Sequence, residues 1–309
     1  MKRWWFVFCV MITAALAFVY AFIPNVITIE GKQDIQVTQQ GFYRLLINKD
    51  SIKKWWPGTH AKGDLVYNNN SYQFVNNNIS LFAVPITTGN ATYNTSLYIV
   101  SLASDSVRLA WLGETTSSYN PVKRFTLWFK AKKINDDINF LLKKMNQFYS
   151  NDENIYGIKV QKALVMDSIL IATSAYSKEY PSVDFIYSQV DKLKNYALAN
   201  GAKQTGYPVL NIEKTDSTDY YVRVAIPLNR PLPDAPGINN KRMLGLGNIL
   251  VAEVTGGIAK TNQAFEQIAL YAGDHQRVAP AIPFYSLITD RRAEKDSLKW
   301  VTRIYFPVM

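Results

Sequence analysis

The sequence predicts an α+β protein with an N-terminal transmembrane helix, a middle α+β domain and a C-terminal domain that contains an internal duplication. An uncharged run near the N-terminus predicts the helix, and strand-like runs between two helical segments predict the middle domain. The duplication is visible because "SILIATSAYS" at Ser168 returns as "NILVAEVTGG" at Asn248, a shift of 80 positions. The predicted boundaries are 1–29, 30–155 and 156–309, with repeats at about 160–228 and 247–309.

Composition restricts the class of protein. The 309 residues are 48% hydrophobic and 19% charged, which is enough apolar material for two cores and excludes a disordered chain. Cys9 is the single cysteine, and the two histidines are far apart in the sequence. The sequence therefore predicts no disulfide framework, metal site or cofactor.

The N-terminus has the pattern of a membrane anchor. Lys2 and Arg3 precede an uncharged run from Trp4 to Ile29, which as a helix at about 1.5 Å per residue would cross a bilayer core of about 30 Å. Positive residues before the run favour a cytoplasmic N-terminus, with the bulk of the chain outside the cytoplasmic membrane. A cleaved signal peptide is the alternative, although Phe18 and Tyr20 crowd the place where small residues are expected.

The net charge of +10 raises nucleic acid as a possible partner. Basic clusters occur at Lys130–Lys133, at Lys143 and Lys144, and at Arg291 and Arg292. No recognition motif accompanies them, so we interpret them as solvated faces and expect no nucleic-acid partner. The sequence does not predict the oligomeric state.

The middle domain reads as a strand, a short helical stretch, several antiparallel strands and a closing helix. "VITIEGKQDIQV" is the first strand, "TQQGFYRLLINKDSIKKWWPG" the helical stretch, and two further strands flank Ala103–Asp105. "KRFTLWFKAK" alternates like a strand, and the closing helix is predicted to begin at an Asn135 cap.

This order of elements resembles the helix-grip fold of START-like and polyketide-cyclase-like (SRPBCC) domains. The "INKDSIKKWWP" stretch resembles the segment where that family often has tryptophans. The resemblance implies an apolar cavity between the sheet and the closing helix. Trp55 and Trp56 could line it, or could simply pack in the core.

Each copy of the C-terminal repeat is predicted to run strand, helix, strand, strand. The predicted elements are 163–175, 182–199, 207–213 and 220–228 in the first copy, and 248–255, 261–271, 283–289 and 299–308 in the second. An apolar stripe from Val183 to Ala197 and a stop at Gly201 support the first helix, and Pro231–Gly237 marks the connector.

The duplicated plan resembles the GyrI-like domain, the effector-binding domain of AraC- and MerR-type regulators. The ending "FYSLITDRRAEKDSLKWVTRIYFPV" and the stretch "LVAEVTGGIAKTNQAFEQIALY" carry the resemblance over about half of the chain. It implies an aromatic-lined groove between the copies that binds a small amphipathic or cationic molecule. The family's ligand-pairing glutamate commonly stands near Tyr285, which is not acidic here, and Glu253 on the neighbouring strand could replace it.

The predicted ligand-binding residues are therefore Tyr207, Glu253, Tyr285, Trp300 and Tyr305. The aromatics could instead serve packing, and Glu253 could point into water. The function predicted is that of a membrane-anchored, extracytoplasmic protein that binds a small molecule without catalysis. The alternative is a hydrolase of reactive hydrophobic molecules that uses Glu253 and Tyr285 in the same groove.

Overall fold

A computed structural model describes residues 2–61, 64–89, 91–166, 168–215, 219–243 and 245–309. The chain divides into two compact units, unit 1 (Met1–Asn151) and unit 2 (Asp152–Met309). Each unit has its own sheets and its own buried core, so each is described by itself.

Unit 1 combines helices with two antiparallel sheets. Its helices are α1 (Lys2–Phe22), α2 (Gln39–Leu46), α3 (Lys49–Lys53) and α4 (Pro121–Tyr149). Its strands are β1 (Val26–Ile35), β2 (Thr59–Ala61), β3 (Asp64–Tyr67), β4 (Asn70–Tyr72), β5 (Val75–Asn78), β6 (Leu81–Ala83), β7 (Ile86–Thr88), β8 (Ala91–Tyr93), β9 (Thr95–Ala103) and β10 (Ser106–Thr116). Among the described residues, the sheet orders are β1-β10-β9-β6-β5 and β2-β3-β4-β7-β8.

The transmembrane prediction is contradicted. Among the described residues, no helix is both long and apolar enough to cross a membrane. The run predicted as one span is divided, because α1 ends at Phe22 and residues from Val26 onward form β1. The end of α1 is fixed in unit 1: Arg124 donates hydrogen bonds to the carbonyl oxygen of Ile23 and lies over the Tyr20 ring. Met1, the first residue of the predicted anchor, lies outside the described residues.

Helix α4 begins much earlier than predicted. Asn120 caps it by accepting hydrogen bonds from two backbone N–H groups, and Pro121 occupies its first turn. The strand predicted for "KRFTLWFKAK" is therefore wrong, and so is the predicted cap at Asn135. Asn135 lies inside α4, where its Oδ1 accepts a hydrogen bond from the Glu30 backbone N–H at 2.7 Å.

The core of unit 1 lies between its sheets and α4. Trp55 and Trp56 are buried, and the Trp56 indole donates a hydrogen bond to the Val66 carbonyl oxygen. The Trp55 ring packs edge-on against Tyr149 near the end of α4. Both tryptophans therefore pack in the core, which is one of the two roles that the sequence allows for them.

Unit 2 contains one continuous antiparallel sheet. Its helices are α5 (Asp152–Tyr156), α6 (Val183–Ala199) and α7 (Ile258–Asp274), with a short 3₁₀ helix at Ser297–Lys299. Its strands are β11 (Gln161–Leu164), β12 (Ser168–Ser177), β13 (Val209–Lys214), β14 (Tyr220–Leu228), β15 (Asn239–Met243), β16 (Asn248–Thr255), β17 (Phe284–Leu287) and β18 (Val301–Val308). In the described part of the chain, eight strands follow the order β11-β16-β18-β17-β13-β14-β12-β15.

The strand order is symmetric about its centre, as a duplication requires. Strands β12, β13 and β14 of the first copy correspond to β16, β17 and β18 of the second, and β13 pairs with β17 where the copies meet. The repeated segments Ile169–Ala172 and Ile249–Ala252 occupy corresponding strands, as predicted. The duplication also predicts these two strands at the centre of the sheet, and this is wrong, because each lies next to a sheet edge.

The two copies also exchange their leading strands. Strand β11, at the start of the first copy, pairs with β16 of the second, and β15, which leads into the second copy, pairs with β12 of the first. The predicted strand 163–175 is therefore two strands with different partners. Strand β15 was not predicted.

The helices cover one face of this sheet. Ser182 caps α6, and Gly201 adopts a left-handed conformation (φ 68°) just after the helix, as the sequence predicts. Helix α6 packs against β12 and β14, and α7 packs against β16 and β18. Alternate residues such as Val222, Val224 and Ile226 point into the α6 core. The residues between them face the other way.

Candidate ligand-binding groove

The helix-free face of the unit 2 sheet contains a cavity of about 770 Å³. Its floor includes Val209, Pro227, Ile249 and Val251, from strands of both copies. One side is formed by the segment 161–166, whose Leu164 and Met166 side chains are 57% and 81% exposed. We call this cavity the groove. The sequence resemblance implies a groove between the two copies, and residues of both copies line this one.

Strand alternation decides which side chains enter the groove. In β17, Phe284 and Ser286 line it, whereas Tyr285 and Leu287 belong to the helix-covered core. Because successive side chains of a strand point to opposite faces, a shift of one residue moves a side chain from one face to the other.

Three of the predicted ligand-binding residues, Tyr207, Glu253 and Tyr305, line the groove. Tyr207 is 52% exposed, so about half of its surface is open to solvent. The Tyr305 ring stacks on Phe284 with centroids 5.0 Å apart and an interplanar angle of 19°.

Tyr285 and Trp300 lie outside the groove. Tyr285 packs against Phe265 of α7 at 5.5 Å between ring centroids, and burial raises the pKa of its hydroxyl to about 12. Trp300 is buried, and its indole N–H donates a hydrogen bond to the Glu294 carbonyl oxygen at 2.9 Å. Glu253 and Tyr285, the pair considered for acid–base catalysis, therefore lie on opposite faces of one sheet.

Glu253 lies on the groove face, where its side chain is 51% exposed to solvent and paired with Arg303. Its Oε2 accepts hydrogen bonds from Arg303 Nη2 at 2.7 Å and from Arg303 Nε at 3.1 Å. The two residues face each other across β16 and β18, and both line the groove. The pKa of the Arg303 guanidinium is raised, mainly by hydrogen bonding to Glu253 and to a smaller extent by hydrogen bonding to Tyr305.

Arg303 and Lys159 are groove residues that sequence reasoning missed. A signal for Arg303 was present, because the shift of 80 positions that aligns Pro227 with Pro307 also aligns Arg223 with Arg303. Lys159 lies before the first repeat and is exposed at the groove, where no repeat pattern could indicate it.

A buried arginine lies on the other face of the sheet. Arg291 is 7% exposed, lies over the Trp300 ring at 4.8 Å and donates a hydrogen bond to Thr302 Oγ1 at 2.9 Å. Burial lowers the pKa of its guanidinium. Among the described residues, no group of three or more His, Cys, Asp or Glu side chains could hold a metal ion.

No model of a known protein family and no curated protein sequence matches the chain. Similar solved structures include the EcmrR–DNA complex, 17% identical over 62% of this chain and 72% of that chain, with a TM-score of 0.43. A hydrolase from Listeria innocua is 10% identical over 49% of this chain and 92% of its own, with a TM-score of 0.38. SAV2435 bound to tetraphenylphosphonium is 14% identical over 49% and 94%, with a TM-score of 0.31. Because these likenesses are remote, the strand order of unit 2 itself defines its fold.

Proposed function

We propose that unit 2 is a GyrI-like domain that binds a small amphipathic molecule in the groove. The observation that supports this most directly is the cavity of about 770 Å³ on the helix-free face. That volume lies within the range of about 300–1,000 Å³ that is usual for small-molecule sites. A sheet face with no role would be expected to present polar side chains to water instead.

The lining of the groove favours a ligand with both apolar and polar parts. Its floor is apolar, and the side formed by Leu164 and Met166 exposes large apolar side chains to solvent. An apolar ligand surface would remove this area from water, at about 25 cal/mol for each Å² buried. Glu253 and Arg303 supply polar groups to the same cavity.

The groove supports binding more than catalysis. Acid–base catalysis requires both groups to reach one substrate, and Glu253 and Tyr285 are separated by the sheet itself. We also propose that unit 1 is a helix-grip domain, on the order of β1, two short helices, antiparallel strands and α4. The location outside the cytoplasm and the absence of a nucleic-acid partner remain predictions.

Nile red, a neutral dye that fluoresces in apolar sites, tests the proposal on the full chain. We expect saturable binding, with about 2.7 kcal/mol of added stability at one hundred times the dissociation constant. Val251→Trp should abolish it, because Val251 is part of the groove floor.

Leu298→Trp is the matched control, since Leu298 is exposed in the same unit and outside the groove lining. It should leave dye binding unchanged. Absence of saturable binding, or equal binding by both tryptophan variants, would count against the groove as a ligand site.

A further inference from the structure

We infer that the groove selects an amphiphile with an anionic head group, such as a carboxylate, over one with a cationic head group. This inference rests on the proposed function and specifies the ligand class of the same site. It reverses the cationic preference implied by the sequence resemblance.

The carboxylate of Glu253 already has a cationic partner. Arg303 directs Nη2 and Nε at one Glu253 oxygen, at 2.7 and 3.1 Å, and the two residues are register partners on adjacent strands. Such charge-assisted hydrogen bonds are stronger than neutral ones. A cationic ligand would have to compete with a guanidinium that is covalently part of the site, at no cost in translational entropy.

The net charge that the described residues place in the groove is positive. Of the described residues that line it, Lys159, Glu253 and Arg303 are charged, with a sum of +1 at pH 7. Arginine has five N–H donors in a fork that matches a carboxylate, and the bonds to Glu253 engage only the Nε and Nη2 side. An anionic head group therefore finds donors on Arg303 that Glu253 does not engage, and a second cation at Lys159.

The aromatic residues do not form a cage for a cation. Cages for quaternary ammonium groups present several ring faces to one point. Phe284 and Tyr305 are stacked on each other, so one face of each ring is already covered. Tyr207 also lines the groove but is 52% exposed to solvent.

Three amphiphiles with the same chain and different head groups test the inference: dodecanoate, dodecanol and dodecyltrimethylammonium. Calorimetric titration of the full chain, at pH 8 and below the micellar range, gives the three dissociation constants. We expect dodecanoate to bind about tenfold more tightly than dodecanol, and dodecyltrimethylammonium to bind most weakly.

Two substitutions then assign the preference to the ion pair. Arg303→Gln should remove the preference for dodecanoate and strengthen binding of the cation, because it releases Glu253. Glu253→Gln should strengthen dodecanoate binding several-fold, because it releases the Arg303 fork.

Arg223→Gln is the matched control. Arg223 forms a similar pair with Glu213 at 2.8 Å in the first copy, and neither residue lines the groove. The protein has a net charge of +10, which attracts every anion, and both arginine variants lower it equally. Only Arg303→Gln should change the order of the three ligands.

The outcomes separate the inference from the function on which it rests. If all three amphiphiles bind saturably but the cation binds as well as dodecanoate or better, the anionic preference is wrong and the binding function stands. Equal effects of Arg303→Gln and Arg223→Gln would also overturn the preference, as a general charge effect. If none of the three binds, dodecanol included, the proposed function itself fails.

Discussion

The two faces of the unit 2 sheet are built from the same strands and differ in what covers them. On one face, residues such as Ile171, Val224 and Ile226 are completely buried beneath α6. On the other face, Val209 and Val251 line an open groove. The difference shows that one set of strands can supply stability through one face and a binding surface through the other.

Charged side chains also have different surroundings on the two faces of the sheet. On the groove face, Glu253 is paired with Arg303, and both side chains are partly exposed. On the covered face, the buried guanidinium of Arg291 rests on an aromatic ring and a threonine hydroxyl. Substitutions on the two faces should therefore affect stability and binding to different extents.

The largest expected effect is the loss of a buried side chain on the covered face. Ile226→Ala should lower the free energy of unfolding by about 2–5 kcal/mol, because the cavity it leaves cannot be filled. Val251→Ala on the groove floor should cost about 1 kcal/mol or less and weaken Nile red binding. Urea unfolding and dye titration of both variants measure this. Similar destabilisation by the two would contradict the division between the faces.

An intermediate effect is expected from Tyr285 in alkaline solution. Its pKa is raised to about 12 by burial, above the value of about 10 in an unfolded chain. Between pH 10 and 12 the unfolded state loses this proton while the folded state retains it. The free energy of unfolding should therefore fall as pH rises through this window, by about 1–2 kcal/mol from this residue.

Tyr285→Phe checks the assignment, because it removes the ionisable hydroxyl and keeps the ring against Phe265. The variant should show a smaller fall in unfolding free energy between pH 10 and 12 than the parent protein. Parallel curves for the two proteins across that range would exclude Tyr285 as a source of the dependence.

The smallest effect on stability is expected from the groove ion pair. Arg303→Gln should change the free energy of unfolding by about 0–1 kcal/mol, because partly exposed pairs contribute little. Its main effect should be on head-group preference. Thermal unfolding in low and high salt measures the stability term, and a loss of several kcal/mol would show that the pair holds the sheet together.

Local patterns predicted most of unit 2. Strands β14 and β16 were predicted at their observed bounds, and α6 was predicted to within one residue, because caps, glycine stops and apolar periodicity act within a few positions. Strand β15 was missed because its sequence is short and polar, and its partner β12 is distant in the chain. Long-range pairing has no local signature.

The site was harder to predict than the fold. Tyr207, Glu253 and Tyr305 lie in the groove, whereas Tyr285 and Trp300 lie outside it. A family motif can indicate which segment forms a strand. It shows which face of the sheet each side chain occupies only if the strand register is known without error, because a shift of one residue exchanges the faces. In α4, Phe125, Leu127 and Phe129 recur at every second position as on one face of a strand, and the cap at Asn120 favours a helix instead.

The exchange of leading strands has a consequence for how the protein is made. When the first copy leaves the ribosome, β12 has no neighbour on its outer edge until Asn239–Met243 has been synthesised. Strand β11 has no partner until Asn248–Thr255 has been synthesised, which is later still. The nascent first copy thus presents an unpaired edge, a known route to misassociation, for as long as the ribosome takes to add these residues. Neither copy can close its sheet alone, so the groove is completed only when translation of the second copy is nearly finished.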